Sequence, residues 1–130
     1  FVKFDGDVNF DPEILDQLMA APDDANYICL DKSDVDDEVI KADVDDNGVI
    51  RALGKYVPVV DAAGESIGIE KISAQYSDVL FDTLGHIMGD QKNWKEYYEL
   101  VFKFVDITGL KWVEMDNKED YETAQKHFSA

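Results

Sequence analysis

Tyr27-Ile28-Cys29-Leu30 is a run of four apolar residues between Pro22-Asp23-Asp24 and an acidic stretch that starts at Asp31. A strand this short, with no polar alternation, reads as covered on both faces, so it needs a sheet with layers packed on either side. The flanking sequence supplies such layers. Phe1 to Phe4 reads as a strand ending at Asp5-Gly6-Asp7. Asp11 suits a helix N-cap and Pro12 the first helical position, with Ile14, Leu15, Leu18 and Met19 as the apolar stripe. Val39 to Val44 and Val49 to Leu53 flank Asp45-Asp46-Asn47-Gly48, where Asn-Gly is a strong hairpin signal, and Val57 to Val60 extends the second arm. Ile67-Gly68-Ile69 starts another strand. Ser73 caps a helix carrying Tyr76, Val79, Leu80, Leu84 and Ile87, which Gly89-Asp90 ends. Asn93 and Glu96 resemble a capping box opening a helix through Tyr97, Leu100, Val101 and Phe104. Val105 to Thr108 and Trp112 to Met115 are strand-like, and Asn117 caps a final helix with Tyr121, Ala124 and Phe128. The alternation predicts an α/β fold over residues 1–130, with a mostly parallel mixed sheet covered by helices and an inserted β-hairpin.

Charge narrows the function. The chain carries 29 acidic residues against 12 basic ones, a net charge of −17. It has no basic footprint for phosphate backbones, which argues against nucleic acid and anionic membranes as partners. No apolar run approaches the roughly 20 residues of a membrane helix. Most of the carboxylates read as solvated surface. The single cysteine, Cys29, cannot form an internal disulfide, and a reducing, cytoplasmic setting fits it. No neighbouring His or Lys lowers its pKa, so it reads as structural. Phe1 lies inside the apolar run Phe1-Val2-Lys3-Phe4, so the start reads as a cut in a longer chain.

Few residues carry a chemical signature. Asp43-x-Asp45-x-Asn47-Gly48 matches the start of a calcium-binding loop, but the twelfth position, which needs a bidentate Glu, is Gly54, and the flanks alternate like strands. His86 and His127 lack spaced Cys or His partners for zinc. Asp7 follows the first strand and Asp116 the last, and ligands of open α/β sheets gather at strand ends. Two such carboxylates suit a Mg²⁺ that also takes phosphate oxygens, although Asp at a strand end is also an ordinary helix cap.

Several segments, in order, resemble the sugar-phosphate nucleotidyltransferases and their cytidylyltransferase-like relatives. They are Phe4-Asp5-Gly6-Asp7-Val8-Asn9-Phe10-Asp11-Pro12, the hairpin Asp36 to Lys41 and Asp45 to Ile50, Gly64-Glu65-Ser66-Ile67-Gly68-Ile69, and Trp112-Val113-Glu114-Met115-Asp116-Asn117-Lys118-Glu119-Asp120. The resemblance implies a Rossmann-like fold of which this chain is the C-terminal part. It implies Asp7 and Asp116 as the catalytic Mg²⁺ ligands. It implies a cleft for a phosphorylated small substrate (a sugar 1-phosphate, an inositol phosphate or phosphocholine) lined by Lys55, Glu65 and Gly68, with Lys41 nearby. Gly68 is expected to let the ligand approach the backbone, and Lys55 to meet a phosphate charge. The implied reaction joins that substrate to a nucleoside triphosphate and releases pyrophosphate. The family's Gly-rich nucleotide loop would lie before Phe1, so the isolated chain is expected to be inactive. Two alternatives stand beside this reading: a non-catalytic interaction module of the same fold, and an unrelated acidic metal-binding domain. The base, the substrate and the oligomeric state are left open.

Overall fold

The structure, a computed structural model, describes residues 1–93 and 97–129. In chain order its elements are β1 (Val2–Phe4), β2 (Val8–Phe10), α1 (Pro12–Ala20), β3 (Tyr27–Asp31), β4 (Lys41–Val44), β5 (Ile50–Gly54), β6 (Gly64–Lys71), α2 (Ser77–Gly89), β7 (Lys103–Asp106), β8 (Trp112–Glu114) and α3 (Lys118–Phe128). The main sheet runs β5-β4-β6-β3-β7, and β1 also pairs with β6. A second, two-stranded ribbon pairs β2 with β8. No helix among the described residues is long and apolar enough to cross a membrane.

β3 is buried along its whole length because alternate side chains serve two separate layers. Tyr27 and Cys29 pack with Ile14 and Leu18 of α1, with Ile67 and Ile69 of β6, and with Ile107. Ile28 and Leu30 face the other way, onto Ala42, Ile50, Leu53, Leu80 and Phe102. Each fully buried aliphatic side chain here contributes on the order of 1.5–3 kcal/mol, which is why four apolar residues in succession specify a two-layered sheet. Burial, with the charge of Glu70, pushes the Cys29 thiol up to about 12, so it is inert packing.

The sheet is mixed, but its balance differs from the expected mostly parallel arrangement. Among the described pairings only β3 with β7 is parallel; β1, β3 and β4 all run antiparallel to β6, and β4 to β5. The reason is connectivity. Strands β4, β5 and β6 follow one another without an intervening α-helix, so the chain simply turns back on itself.

The hairpin is as expected. Asp45 Oδ1 accepts from the backbone N–H groups of Asn47 (2.8 Å) and Val49 (3.0 Å), so this carboxylate closes the turn. Val57 to Val60 does not extend the arm: Val57 is buried and Val59–Asp61 is a single 3-10 turn. Ser73 caps the turn ahead of α2 through Tyr76 N–H, and the helix itself begins at Ser77. The helix expected through Tyr97 to Phe104 does not form between 97 and 104, and Glu96 of its capping box lies outside the described residues. Val101 has φ +73, and Lys103–Asp106 is the parallel partner of β3. Hydrogen bonds from Val101 N–H to Ile50 O (2.9 Å) and from Ile50 N–H to Phe102 O (2.8 Å) hold that left-handed residue, so sheet pairing overrides the helical period.

Helix α1 starts at the expected cap, Asp11, whose side chain accepts from Glu13 N–H (3.0 Å). Helix α3 starts in a full capping box: Asn117 Oδ1 accepts from the N–H groups of Glu119 and Asp120, and Asp120 Oδ2 accepts from those of Asn117 and Asp116. Asn117→Ala should therefore cost about 1 kcal/mol of stability and fray the start of α3. Urea unfolding of the variant at unchanged m-value measures the loss.

Candidate metal and substrate site

Asp7 sits at the end of the Asp5-Gly6-Asp7 turn between β1 and β2. Phe4 and Phe10 stack across that turn, with ring centroids 5.4 Å apart and planes 10° from parallel. Strand β2 then pairs antiparallel with β8, Val8 opposite Glu114, and Met115 N–H donates to Asp7 O at 2.8 Å. The residue that enters β2 thus lies beside the residues that leave β8. This brings Asp7 and Asp116 together from opposite ends of the chain. The cause is an antiparallel ribbon; the shared rim of a parallel sheet, on which the sequence argument rested, plays no part.

A third carboxylate joins them. Ligand oxygens of Asp7, Glu114 and Asp116 all lie within 4.8 Å of one another, and all three side chains are open to solvent. Glu114 was missed in the sequence, although it ends a strand-like segment only two residues before Asp116, and alternate positions of an extended segment share a side. Partial desolvation and the charges of Asp116, Asp7, Asp5 and Asp120 hold the Glu114 carboxyl above its ordinary range. Three hard oxygen donors at the surface, with room for water and phosphate oxygens, suit Mg²⁺.

The cluster borders a cleft of about 460 Å³ whose lining includes Lys55, Glu65, Gly68, Glu114 and Asp116. Lys55 is exposed, with Glu38 nearby at 3.8 Å. Glu65 is half-buried, and burial together with Glu114, Asp31, Asp36 and Asp34 pushes its carboxyl up to about 7. Gly68 lines the cleft at φ +70, but the group packed against its Cα is the chain's own Asp5 carboxylate; a Cβ there would collide with it. The absent side chain makes room for Asp5, where a ligand had been expected.

Lys41 has a different job from the expected substrate contact. It is fully buried, and its Nζ donates to the carbonyls of Asp36 (2.9 Å), Asp37 (3.1 Å) and Val39 (3.2 Å). It ties down the acidic loop, whose Glu38, Val39 and Ile40 form part of the cleft wall.

Deeper in the cleft lie Glu70 and Glu99, 1% and 7% exposed. Glu70 is satisfied by Lys3 Nζ (3.1 Å) and Tyr98 OH (2.8 Å to Oε2). Glu99 Oε2 is buried with no hydrogen-bond partner among the described residues. Burial and the charge of Glu70 push the Glu99 carboxyl up to about 7. Neither residue stood out in the sequence, because nothing local distinguishes them from the other acids.

The fold is shared with solved structures. The inositol-1-phosphate CTP transferase from T. maritima superposes over 100% of this chain with a TM-score of 0.64 at 17% sequence identity. HddC from Yersinia pseudotuberculosis superposes over 99% of it with a TM-score of 0.58 at 16% identity. This chain spans only about half of each, 56% and 55% respectively. No protein-family model and no curated protein matches the sequence.

The carboxyls set the pH response. Glu65 and Glu99 titrate higher in the folded chain than their ordinary 4.5. Their contribution to stability is complete below that value and is lost as pH rises through about 7. Four aspartates behave oppositely. Asp24 is held low by Lys103 and Tyr27, and Asp45 by the N–H groups of Val49 and Asn47. At Asp31 and Asp106 burial works upward but is outweighed, by Ser33 and Trp112 in the first case and by Lys32 and Thr108 in the second. The stability these four add is lost as pH falls below the ordinary aspartate value. The melting temperature should therefore peak at about pH 4–4.5 and fall toward pH 8. Scanning calorimetry from about pH 2 to pH 8 checks this, and Glu99→Gln should flatten the upper limb.

Proposed function

We propose that this chain is the substrate- and metal-holding part of a nucleotidyltransferase that acts on a phosphorylated small molecule. The observation that carries the reading is the Asp7, Glu114 and Asp116 cluster opening onto the cleft that Lys55, Glu65 and Gly68 line. The fold shared with an inositol-1-phosphate CTP transferase supports it. A sugar 1-phosphate or an inositol phosphate is the kind of acceptor this reading expects, with a nucleoside triphosphate as donor.

In this reading Asp7, Glu114 and Asp116 hold Mg²⁺, which when bound supplies charge neutralisation for phosphate oxygens. Lys55, the one lysine among the described residues of the cleft wall and largely exposed, meets the acceptor phosphate. An oxygen of that phosphate attacks the α-phosphorus of the triphosphate. The new P–O bond forms as the bond to the β-phosphate oxygen breaks, and pyrophosphate leaves. No covalent enzyme intermediate is required. These 130 residues contain no Gly-rich phosphate loop, so the triphosphate is assigned to residues outside them, and the isolated chain is expected not to turn over.

The test is pyrophosphate release from CTP and a phosphomonoester by a protein carrying both halves. Asp7→Ala and Asp116→Ala should each lower the Mg²⁺-dependent rate by more than about 100-fold. Both side chains are solvent-accessible, so the melting temperature should stay within a few degrees. Undiminished turnover in either variant would refute the assignment. Mg²⁺ titration of the isolated chain, followed by NMR at the amides of Asp7, Glu114 and Asp116, tests the metal site independently of catalysis.

A further inference from the structure

The carboxylates inside the cleft are not matched by cations. Of the described residues that line it, seven are Asp or Glu and one is Lys. Lys55 has Glu38 beside it, and Lys3 is already shared between Asp5 (2.9 Å) and Glu70 (3.1 Å). Asp7, Glu114 and Asp116 have the metal reading. Glu99 is a cleft-wall residue, 93% buried by the complement of its 7% exposure, and among the described residues its Oε2 has no donor. A buried carboxylate oxygen without a donor is rare in folded proteins because its desolvation is uncompensated. Glu70 at its side, itself 1% exposed, adds a second negative charge.

We infer that the Glu99 and Glu70 wall of the cleft receives a protonated amine, carried by the phosphorylated substrate at the end away from its phosphate. The inference rests on the transferase reading for the phosphate end and on Glu99 for the amine end. A hydroxyl would satisfy the open lone pair but leave the buried charge of Glu99 uncompensated beside Glu70, whose own charge is shared with Lys3. A quaternary ammonium would bring charge but no N–H for Oε2. A protonated amine brings both, and charge-assisted hydrogen bonds are the strong ones. Tyr97, also on the cleft wall, adds an aromatic surface to the same end.

The experiment uses probes without phosphate, so that it does not depend on nucleotide or turnover. The ¹⁵N- and ¹³C-labelled chain is titrated with ethanolamine, choline, glycerol and, separately, Mg²⁺. Ethanolamine should move the Glu99 carboxyl carbon and the amides of Glu70, Tyr97 and Glu99. It should bind at least roughly tenfold more tightly than choline or glycerol. Glu99→Gln should erase that preference. The carboxyl shift of the unsubstituted chain reads the same contact if the variant does not fold. Glycerol binding as well as ethanolamine overturns the inference, as does a preference that survives in Glu99→Gln. Choline binding as well as ethanolamine removes the role of an N–H donor to Oε2, and with it the proposal. Mg²⁺ alone moving Glu99 makes the acid pair a metal site and also overturns it. A failed ethanolamine titration leaves the transferase reading intact, and a failed turnover assay leaves the amine subsite intact.

Discussion

The structure depends on how one edge of β6 is handed from one strand to another. Along its other edge β6 pairs with β3 from Glu65 to Lys71. On this edge β4 takes Gly64 and Glu65, while β1 takes Ile69 to Lys71. The handover falls at Gly68, where φ +70 bends the strand and Gly68 O accepts from Asp5 N–H at 2.9 Å. Few residues other than glycine adopt that conformation cheaply, and none with a Cβ leaves space for the Asp5 carboxylate. The gap between β4 and β1 is where the cleft opens. The turn that follows β1 carries Asp7 to its mouth. The site is therefore a product of an interrupted sheet edge.

The same region concentrates a charge problem. A chain with net charge −17 spreads most of its carboxylates over water, yet it buries Glu70 and Glu99 beside one another and half-buries Glu65. Its lysines are used sparingly and specifically. Lys41 sits fully buried on three carbonyls and fixes the acidic loop from within. Lys3 bridges Asp5 and Glu70, and although burial works against its charge, Asp5, Tyr98 and Glu70 hold the ammonium protonated well above its usual range. What stays uncompensated faces the cleft. Buried charge without a partner is costly in a folded chain, and a cleft that retains it is suited to ligands bringing positive charge, whether metal or organic.

Much of the architecture was legible in local chemistry. The caps Asp11 and Asn117, the Asn47-Gly48 turn and the doubly covered strand at Tyr27 each follow from interactions within a few residues, so the sequence displays them directly. The helix read through Tyr97 to Phe104 failed because Val101 to Asp106 is held by Ile50 and β3, contacts that no local window contains. Lys41 was misassigned for a related reason: a lysine beside an acidic loop looks like a surface cation until its ammonium is seen among the backbone carbonyls of that loop.

The sequence alone determined the starts of α1 and α3, the hairpin and the acidity that argues against nucleic acid, because these are properties of neighbours along the chain. It also singled out Asp7 and Asp116 as strand-end carboxylates. Only the tertiary structure decided that the two meet through an antiparallel β2 and β8 ribbon, that Glu114 joins them, and that Glu99 has no donor among the described residues. The physical reason is the same throughout: register between distant strands sets which side chains share a face, and burial sets which of many identical carboxylates loses its water.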